Sequence, residues 1–128
     1  WPSKPVRIVN PYTAGGGVDV VGRAIAQQLN EAWGQPVIID YKSGAGGAVG
    51  AANVAAAQAD GYTLLLGVNG FLTILPGFTK LPYDPVADFS PVATIASSQF
   101  VLVAHPSVPA RGVKELLALA KARCAAFH

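Results

Sequence analysis

The sequence predicts an α/β fold in which a parallel sheet is flanked by helices. Short β-branched runs alternate with stretches whose apolar residues recur at helical spacing. Each run leads into a glycine-rich or Asn-Gly turn, and the order of strand, loop and helix repeats about three times, which is typical of βαβ units. In such sheets ligands bind beyond the carboxyl ends of the strands. The turns that follow the strands are therefore the first places where a site is expected.

The first strand is predicted at residues 6–9, where Asn10-Pro11 ends a β-branched run. A helix is predicted over residues 18–33 and ends at Gly34, because glycine is favoured just after a helix. The second strand is predicted at 36–40, and a small alanine-rich helix at 48–59. The third strand is predicted at 62–67, where a run of three leucines indicates burial on both faces. Two more strands are predicted at 92–95 and 100–104, and a last amphipathic helix at 113–120.

Composition limits the class of protein. A chain of 128 residues is one ordinary domain or part of something larger. Hydrophobic residues make up 52% and charged residues 12%, which excludes a disordered tail, and a net charge of +2 is too small for a nucleic-acid footprint. The uncharged windows 61–79 and 89–110 contain glycine or proline breakers, so they are rejected as membrane spans. The single cysteine, Cys124, excludes an internal disulfide framework and a cysteine-based zinc site, and is interpreted as an exposed thiol.

Two glycine-rich loops are the most informative feature of the chain. The first glycine loop is residues 12–17 and the second glycine loop is residues 43–47, and each lies between a predicted strand and a predicted helix. Backbone N–H groups at a helix start have no partner inside the helix, and the helix dipole is positive there. Glycines also let the backbone approach a ligand closely. The loops are therefore predicted to bind a carboxylate or a phosphate. The alternative is that the glycines only form tight turns and allow close packing of helix on sheet.

Three side chains near these loops each have two interpretations. Asp19, in the first turn of the first helix, either complements the dipole and caps free N–H groups, or accepts a hydrogen bond from a ligand amine or a bound water. Tyr12 either covers an apolar face of a ligand or packs on the edge of the sheet. Asn69 either donates to a ligand or forms a plain turn with Gly70.

Nucleotide and catalytic sites are disfavoured. The P-loop pattern needs a Lys-Ser/Thr pair, but Gly22 is followed by Arg23 and Ala24. The dinucleotide fingerprint belongs to the first strand–helix turn, whereas the loose match in this chain follows the second strand. The two histidines are far apart in sequence, and no residues have metal-ligand spacing. The sequence therefore predicts a binding protein rather than an enzyme, with no cofactor and no metal.

In combination, nine motifs resemble one known family, the Bug-type receptors, which are the extracytoplasmic solute-binding proteins of tripartite tricarboxylate transporters. The resemblance covers about residues 2–122. The motifs that carry it are PSKPVRIV (2–9), PYTAGGGVD (11–19), GQPV (34–37), SGAGG (43–47), DGYTLL (60–65), LPYDP (81–85), DFSPV (88–92), HPS (105–107) and VKEL (113–116).

The resemblance implies a periplasmic-binding-protein fold of type II, of which this chain would hold the first domain and the start of the second. It implies a receptor that binds a small organic carboxylate in the periplasm, with its signal peptide already removed, and that works with membrane transporter subunits. Two loops after the first two strands would hold the carboxylate, with a third contact after the third strand. The residues implied to bind the ligand are Tyr12, Thr13, Ala14, Gly15, Gly16, Gly17, Asp19, Ser43, Gly44, Ala45, Gly46, Gly47, Asn69 and Gly70.

The chain is much shorter than members of that family, so a truncated form is expected. Residues 1–97 are expected to form an incomplete first domain, and residues 98–128 the crossover strand and first helix of a second. Half a cleft is expected to bind its ligand weakly or not at all. The exposed apolar crossover is expected to cause homo-oligomer formation by segment exchange. The alternatives are a structural or assembly module derived from such a receptor, and a nucleotide-binding enzyme domain.

Overall fold

The computed structural model describes residues 1–123 and divides the chain into two units. The first unit is Trp1–Ala96 and the second begins at Ser97. The first unit contains a parallel sheet of three strands, β1 (Val6–Asn10), β2 (Val37–Tyr41) and β3 (Thr63–Leu65), in the order β2-β1-β3. This arrangement confirms the predicted fold class, and all three strands lie within one residue of their predicted starts.

The register of the strands brings their carboxyl ends to one edge of the sheet. In the pairing of β1 with β2, Val6 lies opposite Val37 and Asn10 lies opposite Tyr41. On the other side of β1, Val9 lies opposite Leu65. The loops that leave the three strands therefore start at nearly the same level, as parallel pairing requires.

Helix α1 (Gly17–Trp33) covers one face of the sheet. Its Ala26 is buried together with Ile8 of β1 and Leu66, the residue after β3. The helix ends at Gly34, whose φ of 62° is left-handed and whose N–H donates to the carbonyl of Asn30 at 3.0 Å. Glycine adopts this conformation without the strain that a Cβ would bring, so the predicted helix end is confirmed.

Helix α2 (Ala48–Ala55) packs on the opposite face. Successive residues of a strand point to opposite faces, and Leu65 packs with the α2 cluster whereas Leu64 packs with the α1 cluster. The α2 cluster is centred on Phe71, which is fully buried in the π-helical turn Gly70–Ile74. Buried Tyr83 donates its hydroxyl to the carbonyl of Phe71 at 2.8 Å, which ties the proline-rich segment after the turn to this core.

Two predicted elements of the first unit are shorter than expected. Helix α2 ends at Ala55 rather than at residue 59, and β3 has three residues rather than six. Leu64 and Leu65 are half-buried, each against a different helix, and Leu66 just after the strand is buried, so burial on both faces is confirmed in part and β3 is less buried than expected. The physical reason is its position, because β3 lies at one end of the described sheet and has a strand neighbour on one side only.

The prediction of strands at 92–95 and 100–104 was also wrong. The structure assigns no regular element to either segment, and both are exposed throughout. A strand needs a neighbour to satisfy its backbone hydrogen bonds, and the described sheet pairs only β1, β2 and β3. The last helix is confirmed as α3 (Val113–Arg123), where Glu115 accepts the N–H of Arg111 at 2.7 Å. In the described part of the chain, no helix is both long and apolar enough to cross a membrane.

Candidate functional site

The first glycine loop presents a helix start to open space. The first backbone bond of α1 runs from the N–H of Val20 to the carbonyl of Gly16 at 3.1 Å. The N–H groups of Gly17, Val18 and Asp19 precede that bond, so the helix supplies no carbonyl for them. A Cβ built at Gly15, Gly16 or Gly17 would meet no atom within 4 Å. The positive end of the α1 dipole is therefore accessible to an anion.

The second glycine loop has an unusual backbone. Four consecutive residues have positive φ: Gly44 (146°), Ala45 (45°), Gly46 (65°) and Gly47 (105°). In the described residues, Ala45 is the one non-glycine with a positive φ, a conformation that costs energy when a Cβ is present. Such turns expose successive N–H groups on one side and form concave anion sites. Within the described residues, the N–H groups of Ala45 and Gly46 have no hydrogen-bond acceptor.

The two halves of this loop face different surroundings. A Cβ at Gly46 would meet nothing within 4 Å, whereas one at Gly47 would lie 2.4 Å from Cδ1 of Phe71. The N–H of Gly47 is also occupied, because it donates to the carbonyl of Gly44 at 2.9 Å. Gly46 is therefore on the accessible side, and Gly47, although predicted as a ligand contact, is packed against the core.

Direct contacts hold the two loops next to each other. The hydroxyl of Tyr12 donates to the carbonyl of Gly46 at 3.2 Å. A Cβ at Gly50 of α2 would lie 2.7 Å from Cβ and 2.8 Å from Cα of Pro11, so the helix is in close contact with the backbone just before the first loop. The N–H of Lys42 donates to the carbonyl of Asn10 at 3.0 Å. The structure thus brings the two predicted loops together at the carboxyl edge of the sheet.

The predicted third contact lies beside the same tyrosine. A Cβ at Gly70 would be 3.7 Å from the hydroxyl of Tyr12, whose ring centroid is 6.3 Å from that of Phe71. Asn69 is exposed, and its carbonyl accepts the hydroxyl of Thr73 at 2.8 Å. Tyr12 packs against the core, which favours the packing interpretation, and its hydroxyl lies among three loops; covering a ligand face stays a prediction. The remaining predicted residues, Thr13, Ala14 and Ser43, are exposed.

Asp19 is occupied by donors of the protein itself. Its side chain is 4% exposed and accepts the hydroxyl of Tyr41 at 2.6 Å, the N–H of Gly15 at 2.8 Å and Nε of Arg23 at 2.9 Å. The amide of Asn10 lies 3.5 Å from the same carboxylate. Four donors leave little capacity for a ligand, so the geometry favours the capping interpretation over direct ligand contact.

The hydrogen bond between Asp19 and Tyr41 shifts the pKa values of the two side chains in opposite directions. The hydroxyl of Tyr41, followed by the N–H of Gly15 and the guanidinium of Arg23, holds the pKa of Asp19 below its ordinary value of 3.8 although burial opposes this. The same bond to Asp19 raises the pKa of Tyr41 above its ordinary value of 10.0, and burial adds to the effect. At neutral pH the pair is therefore a charged carboxylate and a neutral phenol.

Sequence reasoning missed three members of this network. Arg23 had a local signal, because a basic residue four positions after an acid on a helix can form an ion pair with it. Asn10 is fully buried, and its only signal was its place at a strand end before proline. Tyr41 had no local signal, since only the pairing of β2 with β1 brings it to Asp19.

Other chemistry is not assembled in the described residues. In that part of the chain no group of three His, Cys, Asp or Glu side chains lies close enough to hold a metal ion. In the second unit, Nδ1 of His105 is 2.8 Å from the hydroxyl of Ser107. The prediction of an exposed thiol at Cys124 falls outside the described residues.

Comparisons with known proteins identify one receptor family. Residues 21–126 match the family model described as the tripartite tricarboxylate transporter family receptor. The chain is 41% identical over 122 residues to a UPF0065 protein of Bordetella bronchiseptica and 34% identical over 128 residues to protein BugT of Bordetella pertussis. These alignments cover 94% and 96% of this chain but 36% and 38% of the relatives. The chain thus spans little more than a third of the length of the curated relatives it matches.

Solved structures show the same fold. MatC from Rhodopseudomonas palustris with bound malate has a TM-score of 0.83 and 34% identity, and the match covers 96% of this chain and 42% of MatC. The R. palustris protein Rpa4515 with adipate has a TM-score of 0.81 and 38% identity, with coverage of 96% and 42%. The predicted resemblance and the prediction of a receptor rather than an enzyme are both confirmed at the level of the family. The chain belongs to the tripartite tricarboxylate transporter receptor family.

Proposed function

We propose that this chain carries a carboxylate-binding surface of a solute-binding receptor, formed by the first and second glycine loops with Asn69 and Gly70 beside them. The observation that carries the proposal is the meeting of the two loops at one edge of the sheet, joined by the bond from Tyr12 to Gly46. Donors for a carboxylate are the N–H groups of Gly17 and Val18 at the start of α1, and those of Ala45 and Gly46.

The ligand class follows from family membership and from the chemistry of the loops. The structures of two relatives hold malate and adipate, which are both dicarboxylates. Main-chain N–H groups at a helix start suit any small carboxylate, since they recognise negative charge and not the rest of the molecule. We propose a small organic di- or tricarboxylate, a periplasmic location, and membrane transporter subunits as partners. The absence of a Cβ leaves the backbone accessible at Gly15 and Gly16 and permits the positive φ of Gly44.

These 128 residues alone are expected to bind weakly. A ligand held on one side remains largely exposed to water, whereas most ligand sites bury the greater part of the ligand. The chain matches only 42% of MatC, and we propose that residues outside the matched part complete the site in such receptors. We also retain the proposal that residues 1–97 belong to one domain and residues 98–128 to the start of another.

Titration with malate and adipate, followed by amide chemical shifts, tests the site. The expected result is a saturable shift of the Gly17, Val18 and Gly46 amides with a dissociation constant weaker than about 1 µM. An uncharged diol serves as the control and is expected to leave these amides unchanged, because it offers no negative charge to the N–H groups. No shift with either dicarboxylate at about 20 mM would contradict the site, and sub-micromolar affinity would contradict the proposal of weak binding.

A second proposal concerns self-association through residues 100–103. These four apolar residues are exposed, and Phe100 is 98% accessible. Exposed contiguous apolar surface is a common basis for association between chains. We propose that isolated chains form homo-oligomers through this segment. Such association would also fit a role as an assembly module.

A further inference from the structure

We propose that Asp19 is a positioning residue: its buried carboxylate fixes the first glycine loop to the end of β2, and Arg23 compensates its charge. This inference rests on the proposed carboxylate site. It assigns to Asp19 a role that acts through the N–H groups of the first loop, without contact between Asp19 and the ligand.

Asp19 connects three parts of the first unit. Asp19 belongs to the first turn of α1, Gly15 to the loop before it, and Tyr41 to the last position of β2. One carboxylate joins all three, with bonds of 2.8 Å to the Gly15 N–H and 2.6 Å to the Tyr41 hydroxyl. The second glycine loop begins just after Tyr41. Asp19 therefore fixes the separation between the two loops that the proposed site requires.

The negative charge of Asp19 is compensated within the same network. A carboxylate beside an anion site repels the ligand, so its presence needs a compensating gain. Nε of Arg23 lies 2.9 Å from Asp19, and Nη2 of the same side chain donates to the hydroxyl of Tyr41 at 2.9 Å. Asp19 and Arg23 together carry no net charge, so the network can order the loop with little cost in repulsion.

Positioning and simple repulsion predict different outcomes for two variants. Asp19→Asn removes a negative charge and Arg23→Gln removes a positive charge, so an effect of charge alone would strengthen malate binding in the first and weaken it in the second. Positioning predicts that both variants weaken malate binding, because each breaks bonds that order the loop. Tyr41→Phe changes no charge and is expected to weaken binding about tenfold, the equivalent of one hydrogen bond.

Matched controls lie elsewhere in the first unit. Glu31→Gln removes a carboxylate from the far end of α1, where it accepts a bond from Gln27 at 3.1 Å. Tyr62→Phe removes a hydroxyl that bonds to Ser3, before β3 and at the opposite edge of the sheet. Both controls are expected to leave malate affinity within about twofold of the unaltered chain.

The experiment combines malate titration with hydrogen exchange of the Gly15 amide. Faster exchange at Gly15 in Asp19→Asn and Tyr41→Phe, with weaker malate binding in both, is the expected result. Tighter malate binding by Asp19→Asn, or unchanged Gly15 exchange in both variants, would overturn the inference. If Asp19→Asn does not fold, Tyr41→Phe decides by the same two readouts. If the unaltered chain does not respond to malate, the proposed function fails, and the Gly15 exchange rate still decides whether Asp19 and Tyr41 fix the loop.

Discussion

At the scale of single residues, adjacent glycines of the second loop have different reasons to be glycine. Gly47 has a φ of 105° and a Cβ there would lie 2.4 Å from the ring of Phe71, which is fully buried. Gly46 also has a positive φ, 65°, but a Cβ there would meet nothing. At Gly47 both the packing against Phe71 and the positive φ disfavour a side chain, whereas at Gly46 only the positive φ does. The accessible glycine is therefore the one available to a ligand.

This difference predicts the effects of two substitutions. Gly47→Ala is expected to lower the free energy of unfolding by about 3 kcal/mol, because overpacking adds to backbone strain. Gly46→Ala is the matched control and is expected to cost about 1 kcal/mol, the cost of a left-handed alanine. Urea unfolding of both variants measures the difference. Equal losses of stability would show that Phe71 moves aside freely, contrary to this account.

Asp19 gives a second prediction at the same scale, the pH dependence of stability. Its pKa in the folded chain is lower than the ordinary value of 3.8, so folding favours the ionised form. The stability that this bond network contributes is complete above pH 3.8 and is lost as pH falls through the lowered pKa. Around Asp19 the relevant groups are Arg23, which stays positive, and Tyr41, which stays neutral below its raised pKa.

The stability of Asp19→Asn, measured as pH is lowered, tests the direction of this pKa shift. Asp60 and Asp84 also have lowered pKa values, through hydrogen bonds from the N–H groups of Tyr62 and of residues 86 and 87, so part of the acid loss is expected to persist in the variant. The unaltered chain is expected to lose more stability than Asp19→Asn between about pH 5 and pH 2. Parallel profiles of chemical unfolding against pH would show that Asp19 does not have a lowered pKa.

At the scale of elements, the approach of α2 to the first loop is set by Gly50. A Cβ there would lie 2.7 Å from Cβ and 2.8 Å from Cα of Pro11, and 3.0 Å from the carbonyl oxygen of Lys42. Backbone atoms cannot rotate away as a side chain can. Gly22 of α1 differs, because its added Cβ would meet the flexible end of Leu66, at 2.6 Å.

The different surroundings of Gly50 and Gly22 predict different effects of alanine substitution on stability. Gly50→Ala is expected to destabilise the chain by about 2 kcal/mol or more, even though alanine is the better helix former by about 1 kcal/mol. Gly22→Ala is expected to be close to neutral, since Leu66 can adjust and helix propensity improves. Thermal unfolding compares them, and the Tyr12 amide shift reports whether the first loop has moved. A neutral Gly50→Ala with an unmoved loop would contradict the close backbone contact.

The same scale shows what local sequence patterns determine. The strands β1 and β2, helix α1 and its end at Gly34 were predictable because apolar spacing and turn residues are local signals. The segments 92–95 and 100–104 have strand-forming composition, yet no neighbouring strand pairs with them in the described structure. The two loops were predictable as a pair because parallel strands end at one edge. Tyr41 was not, because its contact with Asp19 depends on register.

At the scale of the whole molecule, the exposed apolar residues are unevenly distributed along the described chain. Residues 100–103 are consecutive, apolar and exposed, and they carry no charge that would discourage pairing between chains. Val86 is equally exposed, at 85% against 81% for Val103, but it lies in a turn between Asp84 and Asp88. Comparing these two valines therefore distinguishes the effect of a contiguous apolar run on association from the effect of exposure alone.

Val103→Lys is expected to shift an oligomeric chain toward monomer, because a charge within an exposed apolar run opposes association. Val86→Lys makes the same chemical change at an isolated position and is expected to leave the molecular mass unchanged. Light scattering at about 50 µM protein gives the masses, since association depends on protomer concentration. The segment is the interface if only Val103→Lys dissociates the assembly. A monomeric unaltered chain at that concentration, or equal dissociation by both variants, would place association elsewhere or exclude it.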